Sequence, residues 1–387
     1  MAIHVVNEAR RCLHCKKPMC REGCPINTNI PEVIELFRTG HKEDAGAMLY
    51  ENNPLSVICS LVCDHDKQCE GHCVLGRKGA PVHFSSIENY ISDSYLDHLH
   101  LEMQPKTGQR VAIIGSGPAG ITISILLAQR GYQVTMFESR EKIGGVLRYG
   151  IPEFRLPKSI LDRYQKQLTQ LGIRIRPNTA IGRTLTVDDL QRDGYEAIFI
   201  GTGVWKPKAM GIPGESLGNV NYAIDYLVNP DVYDLGDDLV VIGAGNSAMD
   251  VARTALRKGV RRVNVFCRRY QTAASVREVD YAKADGVEFF YGMRPTRIVD
   301  DGVYYKKVEM NEEGNITSTS EEQFFPCSSV IIAISQGAQS RIVSTTTGLE
   351  ISSHGLLATN EHGETTREGI FCLLYTSPSP RDRTRSR

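Results

Sequence analysis

The apolar positions of this chain fall into short runs closed by turn residues. Residues 111–114 (VAII) run into Gly115, 198–200 (IFI) into the glycine turn that ends at Gly203, and 239–242 (LVVI) into Gly243. Each is expected to be a buried strand, as are 133–137 and 263–266. Between them the spacing turns helical, over 121–130 and again from near Ser247. Nearer the start, NTNIPEVIELFRTGHKEDAGAMLYENN predicts two helices. Asn29 is the N-cap of the first, Pro31 lies in its first turn, Val33, Ile34 and Phe37 share a face, and Gly40 breaks the pattern. No run of eighteen apolar residues occurs, so no membrane span is expected.

These patterns divide the chain into three parts with a linker near Gln104 to Gly108. A helical domain is expected over 1–107, a first strand-and-helix unit over 108–225 completed by 340–371, and a second over 226–339. A length of 387 residues leaves each part room for a core. Forty-five basic residues balance forty-five acidic ones, so no global field favours nucleic acid or an anionic membrane. The start, MAIHVVNEARRC, lacks a basic region followed by an apolar one, which points to the cytoplasm.

Cysteine changes the picture. Eight of the eleven lie between Cys12 and Cys73, with Cys267, Cys327 and Cys372 scattered. A reducing cytosol argues against disulfides, which leaves zinc or iron–sulfur clusters. The first group reads C-x2-C-x4-C-x3-C-P and the second supplies Cys59, Cys63, Cys69 and Cys73. In compact ferredoxin runs the cysteine before proline ligates the other cluster. On that pattern Cys12, Cys15 and Cys20 hold one cluster, and Cys24 crosses over to join Cys63, Cys69 and Cys73. The first cluster is then a ligand short and Cys59 is spare. Zinc knuckles of the C-x2-C type are absent from the second group, and His14, His65, His72 and His83 read as surface residues or as neighbours of the ligands.

Two glycine turns carry the other chemistry. Gly115, Gly117 and Gly120, with Pro118 and Ala119 between them, form G-x-G-x-x-G between a strand and a helix. Glycine lets the backbone approach a pyrophosphate, and the helix N-terminus offers it N–H donors. Glu138 ends the next strand, where an acid binds ribose hydroxyls. The pair Gly144 and Gly145 lets the chain pass close to the same cofactor. The second turn, Gly243, Gly245, Asn246, Ser247 and Ala248, reads G-x-G-x-x-A, and its following strand ends in Arg268 and Arg269. Guanidinium groups there suit a 2′-phosphate. Two Rossmann-like units, one ending in an acid and one in paired arginines, imply FAD in the first and NADPH in the second.

Together with GIPEFRLPK (150–158), GIPGE (211–215) and GAGNSAMD (243–250), these motifs resemble the small subunit of bacterial glutamate synthase. They are similar too to the N-terminal half of dihydropyrimidine dehydrogenase and to the large subunit of the NADH-dependent ferredoxin:NADP oxidoreductase. The resemblance runs from about Asn7 to Ile370. It implies two [4Fe-4S] clusters, FAD and NADPH. It supplies the missing ligand as Glu88, makes Cys59 a non-ligand, and gives no side chain the role of acid, base or nucleophile. Electrons are then expected to pass from NADPH through flavin and clusters to a large catalytic subunit or to ferredoxin. Residues 372–387 (CLLYTSPSPRDRTRSR) depart from the family's flavin-binding end and match a translated transposon-type sequencing adapter, so they are expected to be a non-native tail. Two other readings remain open. A thioredoxin-reductase-like enzyme needs a C-x2-C in the second unit, where Cys267 stands alone, and a zinc-stabilised scaffolding protein needs zinc in place of iron.

Overall fold

The computed structural model describes residues 4–99, 103–311, 315–339, 341–353 and 355–373. The tail expected to be non-native lies outside them from residue 374 onward.

An all-α domain leads. Its helices include Ile30–Arg38, Lys42–Asn52, Ser56–Val62 and Phe84–Asp97. The first starts at Asn29 with proline in its opening turn and stops before Gly40, whose φ of +90° ends the helical path. Its buried face, Val33 and Ile34, packs with Leu49, Ile87 and Ile91 in one core.

Two parallel sheets follow. The first runs in the order Ile370–Cys372, Ala197–Ile200, Arg110–Ile114, Gln133–Phe137, Arg174–Arg176. The second runs Val220–Tyr222, Ser329–Ile332, Asp238–Ile242, Arg262–Cys267, Glu288–Tyr291. Continuous apolar strands such as these are covered on both faces: helix Pro118–Gln129 covers one face of the first sheet and a core with Val187 and Leu190 the other, while helix Asn246–Arg257 covers one face of the second and a core with Ile298 and Val303 the other. An antiparallel sheet from Met293–Val299, Gly302–Met310, Ile316–Thr319 and Gln323–Pro326 packs against the second unit. The two units exchange chain through a short ribbon in which Lys206–Pro207 pairs with Gln336–Gly337.

The helical domain is not a separate bead. Tyr50, Leu55, Val57 and Ile58 share one core with Ile113, Ile121 and Tyr164 of the first unit. Tyr164 is 1% exposed, and its hydroxyl donates to the Pro54 carbonyl at 2.7 Å. Helix Ser56–Val62, which runs into Cys63, is thereby seated on the first dinucleotide unit.

Candidate functional site

Both glycine turns lie at the carboxyl ends of central strands, where neighbouring connections diverge and leave a crevice. In the first, helix Pro118–Gln129 begins earlier than the apolar spacing suggests, because proline tolerates the opening position and Gly117 caps it. Gly120 packs on the Gly115 carbonyl, too close for any side chain. Gly145 has φ +52°, and a Cβ there would sit 2.7 Å from the Gly117 Cα. Gly144 N donates to Ser116 O at 2.9 Å. The glycine pair thus presses on the turn itself.

Glu138 is 5% exposed and faces the same turn. Its carboxylate accepts from Ser116 N at 3.0 Å, from Arg140 N at 2.7 Å, and from the hydroxyls of Ser116 and Ser139. The two hydroxyls can rotate away for ribose hydroxyls while the amides hold the acid in place. Arg140 lies between the rings of Tyr149 and Trp205, at 4.7 and 4.4 Å from their centroids. Ser116, Arg140 and Trp205 escaped sequence reasoning; only Ser116, inside the G-x-G, carried a signal.

In the second turn Gly243 N donates to Phe266 O at 3.1 Å, and Gly245 caps helix Asn246–Arg257. A Cβ on Gly245 would meet nothing within 4 Å, so the space above the turn is open to a pyrophosphate. Ala248 is fully buried under the turn, and Ser247 stands half-buried beside it. The Asn246 side chain is turned to the protein and accepts from Ser275 N at 3.0 Å. Arg268 and Arg269 follow strand Arg262–Cys267, are exposed, and have no ion-pair partner among the described residues. Cys267 is fully buried, which leaves no exposed thiol pair for disulfide exchange in this unit.

The thiols fall into two groups, and the partition differs from the crossover that the spacing predicts. Cys12, Cys15, Cys20 and Cys73 are mutual electrostatic neighbours. They line one cavity together with Cys69, Ile34, Val82 and Phe84, so the two groups meet at Cys69. Cys24, Cys59, Cys63, Cys69 and Glu88 form the second group. Cys73 therefore goes with the first three cysteines, and Glu88 goes with Cys24. The reason is local: Cys73 opens the turn Val74–Arg77 and faces the first group, while helix Phe84–Asp97 carries Glu88 past the end of Ser56–Val62. Cys59 accepts from Asn53 at 3.1 Å and from the Cys63 thiol.

Burial pushes the Cys20 thiol up to about 11, and raises Cys69 further. Glu88 is raised well above the usual carboxyl range, first by burial and then by Cys59, Cys24 and Glu70, all of its own sign. Among the described residues no cation acts on Glu88, and desolvated thiols beside such a buried acid suit a cationic metal centre, which reverses this pKa logic. Among the described residues no three His, Cys, Asp or Glu side chains converge on a single ion. His65 is buried, His72 lies 2.6 Å from the Gln68 carbonyl, and His83 lies 3.5 Å from Glu70.

Comparison with known proteins fits this geometry. Residues 2–99 match the family described as dihydropyrimidine dehydrogenase domain II, 4Fe-4S cluster. Residues 86–191 and 109–373 match the pyridine nucleotide-disulphide oxidoreductase family. The chain is 33% identical to the glutamate synthase (NADPH) small chain of Halomonas elongata over 94% of its own length and 84% of that protein. It is 35% identical to the Azospirillum brasilense small chain over 76% of itself and 66% of that chain. Against the NAD-dependent dihydropyrimidine dehydrogenase subunit PreT of Escherichia coli O157:H7 it is 31% identical over 86% and 80%. Among solved structures it resembles Mycobacterium tuberculosis FprA in complex with NADPH, with TM-score 0.56 and 19% identity over 70% of this chain and 78% of that one, a likeness of fold. Among the described residues no helix is long and apolar enough to cross a membrane.

Proposed function

The chain belongs to the glutamate synthase small-chain family of NADPH-dependent, iron–sulfur oxidoreductases, and from that premise we propose that it is the electron-input subunit of a larger enzyme. One observation carries the reading. Two glycine turns stand on separate parallel sheets, and a thiol-rich helical domain shares its core with the unit that carries the first of them.

The first turn holds FAD, with Glu138 on the adenosine ribose and the 144–145 pair beside the pyrophosphate. The second takes NADPH, with Arg268 and Arg269 on the 2′-phosphate. Cys12, Cys15, Cys20 and Cys73 hold one [4Fe-4S] cluster, and Cys24, Cys63, Cys69 and Glu88 hold a second; Cys59 is left to pack. When bound, these groups supply hydride acceptance and one-electron transfer. The protein's share is position and exclusion of water. Helix Ser56–Val62, which leads into Cys63, sits in the first core, and this supports a path from the flavin through the Glu88 group first and the Cys73 group second.

The partner we favour is a large catalytic subunit of glutamate synthase, after the names of the similar chains; a dihydropyrimidine dehydrogenase partner is the alternative. No two of the described cysteines form a disulfide, which suits a reducing cytoplasm. Anaerobic titration with NADPH tests the reading. Flavin bands and the broad absorbance near 400 nm should bleach together, faster with NADPH than with NADH. Flavin bleaching with the broad absorbance untouched by excess NADPH would overturn it.

A further inference from the structure

The segment 150–158, GIPEFRLPK, is not used by either nucleotide turn, yet it makes the densest polar contact between the two units. Arg155 Nη1 donates to both carboxylate oxygens of Asp250, at 2.9 and 2.8 Å, and its Nε lies 2.9 Å from Glu278. Glu278 also pairs with Arg253 at 2.9 Å, and Asp285 takes Arg253 at 2.8 Å and Arg257 at 2.7 Å. Three guanidinium groups face three carboxylates, so the network is charge-balanced. It is also enclosed, since the side chains of Arg155, Asp250, Glu278 and Arg253 are 12% exposed or less. Phe154 lies against the guanidinium groups of Arg253 and Arg257, at 4.7 and 4.2 Å.

Both ends of this contact lead to a nucleotide turn. On the first unit, Leu156 is fully buried, and Lys158 Nζ donates to the carbonyls of Leu147 and Ile151. Leu147 belongs to the short helix that begins after Gly145, the residue pressed on Gly117. On the second unit, Asp250 is on the helix that starts at the second turn. Glu278 is on helix Val276–Ala284, whose N-cap Ser275 donates its N–H to Asn246 in that same turn.

The ribbon of Lys206–Pro207 and Gln336–Gly337 alone would leave two units free to swivel, as interfaces within one chain commonly allow. A second attachment, remote in sequence and made of several directional charge-assisted bonds, removes that freedom. We infer that segment 150–158 is a clasp, with Arg155 as its positioning residue, that fixes the angle between the two dinucleotide sites so that a nicotinamide bound in the second reaches a flavin bound in the first. This rests on the proposed assignment of the two sites.

The test compares the wild-type chain with Arg155→Met, Arg155→Lys and Glu278→Gln. Amide hydrogen exchange of each chain without cofactors is read over helices Asn246–Arg257 and Val276–Ala284. Stopped-flow flavin reduction by NADPH is read as a limiting rate and a dissociation constant. Arg155→Met is expected to speed exchange at the face of both helices that meets the clasp. It should slow the limiting rate at least tenfold while the NADPH dissociation constant changes less than threefold, and Arg155→Lys should recover part of the rate. If Arg155→Met does not fold, Glu278→Gln, which keeps the Asp250 pair, must show the same split in smaller measure. Unchanged exchange would overturn the clasp, and so would faster exchange with an unaltered limiting rate. A wild-type chain in which NADPH reduces no flavin would sink the assignment of the sites instead, and exchange on the cofactor-free chain would then decide the clasp alone.

Discussion

Replacing Arg268 and Arg269 together by alanine is expected to erase the preference for NADPH over NADH while leaving the fold intact. Both side chains are exposed, stand at the end of strand Arg262–Cys267 and have no ion-pair partner among the described residues. Removing them breaks no ion pair among the described residues, so the melting temperature should move by less than about 2 °C. Hydrogen bonds to a charged group contribute ~1.5–3 kcal/mol when sheltered, and exposure cuts this to ~1–2 kcal/mol for each arginine on a phosphate. The pair together is then about 2–4 kcal/mol, or a rise of about 30- to 700-fold in KM for NADPH. NADH carries no 2′-phosphate and should lose less than about threefold. Steady-state reduction of ferricyanide by either nucleotide reads both numbers, and raising salt from 50 to 300 mM should shrink the wild-type preference by screening. An equal loss for both nucleotides would refute the reasoning, because it would place the arginines on a part of the cofactor that the two share.

Other expectations follow from the same contacts. Tyr164→Phe removes a buried hydroxyl donated to the Pro54 carbonyl and should cost about 1–2 kcal/mol in urea unfolding followed by far-UV circular dichroism; an unchanged midpoint would show that the helical domain is not anchored there. Burial holds the Asp250 carboxyl at about 6, above its ordinary value, even beside Arg155. The fold therefore binds this proton more tightly than the unfolded chain does, so its contribution is full at low pH and is lost as pH rises from about 4 to 6. Over that window wild type should lose about 3 kcal/mol relative to Asp250→Asn in urea midpoints, and parallel curves would contradict the burial argument. Cys63→Ser and Cys73→Ser should each lower iron content by about four per chain, whereas Cys59→Ser should keep it; iron lost with Cys59 would move that thiol into the ligand set.

Much of the fold could be read from the chain because its signals are local. The runs 111–114 and 239–242 end at glycines that only a strand-to-helix turn requires, and both became central strands. Residues 133–137 formed a strand with the expected bounds, and Gly40 ended its helix. The antiparallel sheet over 293–326 gave no comparable signal. Its strands mix exposed and buried positions and contain Pro295 and Pro326, so alternation is blurred. The division of the thiols was also hidden. Spacing limits which cysteines share a loop, but the direction Cys73 faces depends on the turn at Val74–Arg77 and on helix Phe84–Asp97 packing across it. Arg155 was invisible for the same reason: its partners lie 95 and more positions away, and only the docking of two sheets brings them together.

The central claim is that one chain carries a flavin site, an NADPH site and two clusters. It is tested most directly by measuring iron, acid-labile sulfide, zinc and flavin in anaerobically purified protein, both as the 387-residue chain and with a family-type end in place of 372–387. About eight irons and eight sulfides per chain with negligible zinc is the predicted result, with one flavin in at least the second form. Zinc bound in place of iron would contradict it, since the NADPH-binding fold would then have no outlet for its electrons.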